Sequence, residues 1–415
     1  MIGQLFWSSV GAVVYAYAGY PLLLATVTRL RRRDNRRMHL ADAATTAWPR
    51  VSLIIAAYNE ADVIGHKLAN TLELDYPAED LQIIVAADGS EDETAAIART
   101  FGPRVTVLHN AERLGKTAAI TRAMAIATGE IVLFSDANNL YEPDVLSEIV
   151  APFADPEVGA ATGSKVIVAG DGSLGDAEGT YWRYESRIKE LEWQLGCCTA
   201  VAGEILAVRR SLFEAPPPDV INDDFYIAMS VIKAGYRIAY VPGARSRERV
   251  SPSPADEATR RSRIVAGRYQ ALMLLPRLLP MGRPVIAWQV ISHKFIRPLV
   301  PLFMIAAVIA NVLAVIRPAR AVGLGRLINL APPIGWLALV AQAGFYGLAI
   351  AGRSGTAGGR PGRAGRLLYL PAFLVRSNLA ALVGLARYAR GQQSARWERA
   401  ARRAAEAAPV PRRDA

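Results

Sequence analysis

Stretches without any charge alternate along this chain with regions where short apolar blocks are separated by polar and charged ones. No charged side chain occurs from Met1 to Thr28. At about 1.5 Å per residue that length is ample for a hydrocarbon core of roughly 30 Å, so the pattern predicts a transmembrane helix over 1–28. A cleaved signal peptide carries its basic residues ahead of the apolar stretch, whereas here Arg29, Arg31, Arg32, Arg33, Arg36 and Arg37 follow it. The basic linker over 29–48 assigns the next segment to the cytoplasm. Uncharged stretches return at Pro298–Ile316 and Leu327–Gly352 and predict two more spans within 298–386. A further apolar segment, 367–386, holds Pro371 and Arg376, so each half is too short to span alone and the segment spans, lies in the interface or re-enters. The tail over 387–415, with eight arginines against three acids, favours the interfacial or re-entrant form, because a full span would export it. Within 251–297, Ile264–Leu279 and Pro284–Ile296 read as amphipathic segments on the membrane surface.

Between 49 and 250 the pattern changes to strand, loop, helix, repeated. The apolar strands are continuous rather than alternating, as in a mostly parallel sheet covered by helices on both faces, a Rossmann-like α/β layer. Val51–Ala57 is the first strand, after which Asn59 is placed to cap a helix running to Leu72. Leu81–Ala87 is the second strand, followed by Ser90 and Glu93 at capping-box spacing. A helix ending at Gly129 leads to the buried strand Ile131–Phe134, and Pro143 sits in the first turn of the next helix.

Composition narrows the class. The 415 residues carry 48 Lys and Arg against 37 Asp and Glu, a net charge of +11, with 52% hydrophobic and 20% charged residues. This excludes a disordered chain and a small disulfide scaffold. Only six of the basic residues are lysine, and the arginine excess reflects base composition as much as partner choice, so no nucleic-acid partner is expected. The only cysteines, Cys197 and Cys198, are adjacent, and the four histidines lack metal-ligand spacing.

Polar residues gather at one end of the predicted strands: Tyr58, Asn59 and Glu60 after the first, Asp88 after the second, Ser135, Asp136 and Asn138 after Phe134. Open parallel sheets bind ligands beyond the carboxyl ends of their strands, which brings Glu60, Asp88 and Asp136 to one crevice. Neither a G-x-G-x-x-G nor a P-loop pattern follows the first strand, leaving phosphates to be held by metal. Lys116, ahead of a helix starting near Thr117, is placed to meet a diphosphate. Each residue alone has an ordinary role as a turn, helix start or solvated loop; three carboxylates at three strand ends are harder to dismiss.

In order along the chain stand Ala57-Tyr58-Asn59-Glu60, Ala87-Asp88-Gly89-Ser90, Gly115-Lys116, Ser135-Asp136-Ala137-Asn138, Gly203 before Ala207-Val208-Arg209-Arg210, Asn222-Asp223-Asp224, and Arg260-Arg261-Ser262-Arg263-Ile264. This combination resembles the inverting family 2 glycosyltransferases, in the branch of cellulose, hyaluronan and poly-N-acetylglucosamine synthases. The resemblance implies a GT-A fold, a nucleotide-diphosphate sugar donor, most often a UDP-sugar, and Mg²⁺ or Mn²⁺. It implies that Ala57, Tyr58, Glu60, Asp88, Lys116, Asp136, Gly203, Arg260 and Arg263 bind the nucleotide-sugar and that Asp136, with Asn138 as a weaker ligand, holds the metal. Asp224, beside Asp223, then matches the general base. Two departures stand out: Asn138 replaces the second acid of D-x-D, and Ile264 replaces the tryptophan of Q-x-x-R-W, which weighs against processive synthesis.

The function expected from these features is transfer from a cytoplasmic nucleotide-sugar to a growing exopolysaccharide or other cell-surface glycan by a multi-pass protein of the inner or plasma membrane. Single transfer onto a polyprenyl-linked acceptor is the alternative, and a non-enzymatic transport or assembly subunit ranks lower. Partners are then the donor, a glycan or lipid-linked acceptor and the bilayer; secretion or assembly partners are not specified by the sequence.

Overall fold

The computed structural model describes residues 1–31, 48–168, 172–251, 253–352 and 363–394. Most of the basic linker, the loop holding Arg353 and Arg360, and most of the basic tail lie outside the described residues. The chain forms two compact units, one of Met1–Thr26, Arg261–Leu272 and Trp288–Gln393, the other chiefly of Val27–Arg260 and Met273–Ala287.

The second unit is built on an eight-stranded sheet of β1 (Val51–Ala57), β2 (Leu81–Asp88), β3 (Val105–Asn110), β4 (Ile131–Asp136), β5 (Leu140–Tyr141), β6 (Val158–Ile167), β7 (Leu206–Arg209) and β8 (Arg237–Glu248), in the order β3-β2-β1-β4-β7-β6-β8-β5. β3, β2, β1 and β4 are parallel; β7 runs antiparallel to both β4 and β6, while β6 and β8 are parallel. Every residue of β1 is buried and all but Ser52 are apolar, as expected of a strand covered on both faces. In register Ala57 pairs with Ala87 and Ala56 with Asp136, so β1, β2 and β4 finish side by side. The core fills with Leu53, Ile55, Ile64, Leu68, Ile83, Val85 and Leu133 from this half and Ala161, Ile205 and Ala239 from the other.

Local signals fare unevenly. Asn59 does not cap the helix Ala61–Leu72; Glu60 holds the N-cap position without a side-chain bond, and Asn59, at φ +51°, accepts the Glu91 N–H through Oδ1 at 2.9 Å. The predicted capping box also fails. Glu93 precedes the helix Thr94–Arg99 without capping it, Asp92 accepts the Thr94 N–H at 3.0 Å, and Ser90 Oγ accepts the Asn59 N–H at 3.1 Å. Both side chains are spent joining the loops after β1 and β2. The helix before β4 is Lys116–Met124 and stops short of Gly129, whose N–H bonds Ser52 Oγ at 2.8 Å. Cys197 and Cys198 are buried free thiols.

The first unit is helical. Ile2–Arg31, Pro284–Ile316 and Ile334–Ala351 are long and apolar enough to cross a membrane, the only such helices among the described residues. Leu337, Val340 and Ile350 are 61%, 68% and 67% exposed, an apolar surface that water does not favour. Where the sequence predicts a surface helix and a separate span, one helix runs from Pro284 to Ile316 through a π-turn at Ile291–Phe295, because Pro298 and Pro301 fall where they break no continuity. The span expected over 327–352 shortens to Ile334–Ala351, with a separate short helix Leu324–Asn329 before the Pro332-Pro333 pair. The last segment is an unbroken helix, Arg363–Ala389, with Pro371 inside it. A second π-turn, Tyr15–Gly19, interrupts the first helix, and Tyr15 joins Pro284–Ile316 through Ser292 Oγ at 2.7 Å and Trp288 Nε1 at 2.9 Å.

Candidate active site

The carboxyl ends of β1 and β2 open on a cavity lined by Ala57, Tyr58, Asp88, Arg113, Gly115 and Lys116. Asp88 is only 4% exposed, and its carboxylate is fully engaged. Oδ2 accepts the N–H groups of Leu114 and Gly115 at 3.0 and 2.5 Å, and Oδ1 meets Arg122 at 2.6 Å. Asp88 thus anchors the loop that delivers Lys116 to the cavity. Arg113, from the same loop, lies with its guanidinium 3.9 Å from the centre of the Tyr58 ring.

Lys116 opens its helix from a loop in which Gly115 has φ +101°. Its Nζ meets Asp136 Oδ1 at 2.7 Å. Burial by itself would lower its pKa, but Asp136 foremost, with Asp223 and Asp224 behind it, holds the ammonium above the ordinary lysine value. Those acids open the helix Asp223–Lys233, where carboxylates suit the helix dipole, and Asp224 Oδ1 accepts the Phe225 N–H at 2.8 Å. Gly203 backs the same carboxylate: a Cβ there would stand 3.1 Å from Asp224 Cβ and 3.4 Å from Oδ2. Asp88, Lys116, Asp136, Asp223, Asp224 and Gly203 therefore belong to one locality.

Glu60 is buried at the start of its helix, its N–H on Thr94 Oγ1 at 2.8 Å. Arg260 pairs with Glu257 at 3.1 Å and feels the charge of Glu204. Arg263 belongs to the helical unit. Asn138 donates through Nδ2 to Glu248 Oε1 at 2.7 Å, while its Oδ1 is buried with no partner among the described residues. Asp136 and this oxygen are both hard oxygen donors of the kind Mg²⁺ or Mn²⁺ takes. No group of three or more His, Cys, Asp or Glu that could hold a metal occurs among the described residues.

The sequence did not single out Lys165, which points from β6 to Glu248 and to Glu204 at 3.3 Å. Burial pushes its pKa down, and its charge holds Glu204 below the usual carboxylate range against Glu204's own burial. A lysine inside an otherwise apolar strand was the available signal, as Arg113 beside Leu114-Gly115-Lys116 was for the base of the cavity.

Residues 52–215 match the family model described as glycosyl transferase family 2. An N-acetylglucosaminyltransferase of Rhizobium meliloti strain 1021 is 29% identical over 252 residues, 54% of this chain and 58% of that protein. Glycosyltransferase AglD of Haloferax volcanii is 30% identical over 210 residues, covering 48% of this chain and 34% of that one. The chain thus spans well under two thirds of both curated relatives. Among solved structures, the mannosyltransferase PcManGT from Pyrobaculum calidifontis, in complex with GDP-Man and Mn²⁺, superposes with a TM-score of 0.65 at 23% identity, over 92% of this chain and 99% of that one, and so shares its fold. With its GT-A-type sheet, the segment 52–215 is similar to glycosyl transferase family 2 domains.

Proposed function

We propose that the chain is a membrane-integrated inverting glycosyltransferase that moves a sugar from a nucleotide-diphosphate sugar, in first place a UDP-sugar, to a growing exopolysaccharide or other cell-surface glycan, with the catalytic domain in the cytoplasm. The observation that carries this reading is Lys116, whose ammonium is held by Asp136 within the field of Asp223 and Asp224 at the mouth of a strand-end cavity. Tyr58 and Arg113 supply planar surfaces for a nucleobase, and Glu60 and the Asp88-anchored loop shape its seat. Lys116 meets the diphosphate and stabilises the charge that gathers on it as the glycosidic bond breaks. The carboxylate of Asp224, held by the Phe225 N–H and the bare backbone of Gly203, takes the proton of the acceptor hydroxyl as that oxygen attacks the anomeric carbon from the face opposite the diphosphate. Asp136 and Asn138 Oδ1 would hold Mg²⁺ or Mn²⁺, which supplies electrophilic neutralisation of the diphosphate when bound. Arg260 belongs to the same reading as a diphosphate contact.

Single transfer onto a polyprenyl-linked acceptor is the second reading, favoured by Ile264, which offers no aromatic face to a retained polymer. Labelled UDP- and GDP-sugars supplied to membranes containing the chain test both. Label in a long polymer supports the first reading and label in a lipid extract the second; release of nucleoside diphosphate from no donor overturns the enzyme reading.

A further inference from the structure

The turn that brings the bare backbone of Gly203 against Asp224 is gripped at both ends by one buried hydroxyl. Ala202 to Ile205 close the turn with the Ile205 N–H on the Ala202 carbonyl at 3.0 Å, and the chain passes straight on into β7. Thr162, on β6 beside it, is fully buried. Its Oγ1 accepts the Ala202 N–H at 3.1 Å and donates to the Ile205 carbonyl at 3.2 Å, so a single side chain spans the two ends. Leu206, the next residue, pairs with Thr162 in the sheet. Glu204, inside the turn, is held twice more: its carbonyl accepts the Tyr141 hydroxyl at 2.7 Å, and its carboxylate meets Lys165 at 3.3 Å.

A turn closed only by its own first-to-fourth bond is free to tilt against the strand beside it. Here the Thr162 hydroxyl ties each end to β6 and the Tyr141 hydroxyl ties the middle, which fixes how far Gly203 stands from the sheet. Packing leaves little slack on either side. A Cβ on Gly163 of β6 would fall 2.5 Å from Ile205 Cδ1, and a Cβ on Gly203 would stand 3.1 Å from Asp224 Cβ. A shift of the turn is therefore passed to Asp224. Reacting groups tolerate such shifts poorly, since a misplacement of about 1 Å costs on the order of 10²-fold in rate. Thr162 lies in a strand with buried Val158, Ala160 and Ala161, where a wholly apolar side chain would serve the core as well, so the use of its hydroxyl is the turn.

We infer that Thr162 is a positioning residue for the general base, acting through the turn Ala202–Ile205 with Tyr141 in support. Its hydroxyl sets where Gly203 stands, and Gly203 sets where the Asp224 carboxylate lies as it takes the acceptor proton. This inference rests on the reading of Asp224 as the general base and goes beyond it in naming what aims that carboxylate.

The test uses Thr162→Val, Thr162→Ser and Tyr141→Phe in the full chain in nanodiscs, each alone and combined with Asp224→Asn, with nucleoside diphosphate release and donor affinity read together. Valine keeps the shape and removes both bonds, whereas serine keeps the hydroxyl. Thr162→Val should lower kcat about tenfold with donor Kd at the wild-type value, Thr162→Ser should stay within about threefold of the wild type, and Tyr141→Phe should fall between them. Combined with Asp224→Asn, Thr162→Val should cost nothing further in turnover, because the group it aims is already lost. A merely structural hydroxyl would lower the melting midpoint and leave kcat of the folded chain alone. Unchanged kcat in Thr162→Val overturns the inference, as does an equal fall in Thr162→Ser, a parallel loss of donor affinity, or a fall that persists in full beside Asp224→Asn. Should Thr162→Val not fold, Tyr141→Phe decides by the same combination. A wild-type chain that turns over no donor counts against the proposed function instead. The carboxyl ¹³C resonance of Asp224, identified by its loss in Asp224→Asn, then decides the positioning: a displacement in Thr162→Val that is absent in Thr162→Ser sustains it, and an unmoved resonance overturns it.

Discussion

The ammonium of Lys116 lies 2.7 Å from Oδ1 of Asp136, although one opens a helix and the other closes a strand. Lys116→Met should weaken donor binding and reduce turnover on the order of 10²-fold, as expected for the loss of a fixed charge beside a developing anion. Because the acids hold Lys116 above its ordinary pKa, it stays protonated through the neutral and mildly alkaline range. The pH–rate profile should therefore lack a falling limb due to Lys116 up to about pH 10. Steady-state kinetics from pH 6 to 10 check both points.

Asp88 is expected to act through the loop it holds. Asp88→Asn loses the ion pair with Arg122 and weakens the grip on the Leu114 and Gly115 amides, so stability should fall by about 1–3 kcal/mol and donor Kd should rise. Arg122→Met should reproduce the stability loss in part. Denaturant unfolding and donor titration of the two variants measure it.

Gly203 leaves room for the Asp224 carboxylate. A Cβ 3.1 Å from Asp224 Cβ would push it by a few tenths of an ångström, so Gly203→Ala should lower kcat roughly tenfold with donor Kd unchanged. A changed Kd with unchanged kcat would place Gly203 at the donor instead.

Lys67 is fully buried, 3.7 Å from the centre of the Tyr141 ring, and its Nζ has no hydrogen-bond partner among the described residues. Burial lowers its pKa to about 7, against a smaller opposing pull from Asp136. Between about pH 7 and the unfolded value near 10.4 the unfolded chain binds more protons than the folded one, so the penalty Lys67 imposes shrinks as pH rises. Lys67→Met should accordingly raise the melting midpoint at pH 7, and its advantage over the wild type should fade towards pH 10. An advantage independent of pH contradicts this assignment.

The sheet was readable because Val51–Ala57, Ser52 apart, and Ile131–Phe134 are apolar on both faces, as a strand covered on both sides requires. The strand-end acids were readable for the same reason: parallel strands finish side by side whatever their separation in sequence. Local rules failed where tertiary contacts outbid them. Asn59 and Ser90 read as helix caps, yet they bond across between the loops after β1 and β2. Helix continuity through Pro298 and the late start of the last apolar span, after Pro332-Pro333, depend on packing that periodicity does not encode. Lys165 could not be joined to Glu204 and Glu248 from sequence, because their meeting depends on how β6 lies between β7 and β8.

The most direct test of the central claim, that Asp224 is the general base beside a nucleotide-sugar, compares Asp224→Asn with the wild type. Nucleoside diphosphate release and donor affinity are measured together in nanodiscs. Turnover should drop by about 10²-fold or more while donor Kd stays nearly unchanged, since the amide fills the same space but cannot take the proton. Undiminished turnover would contradict the account.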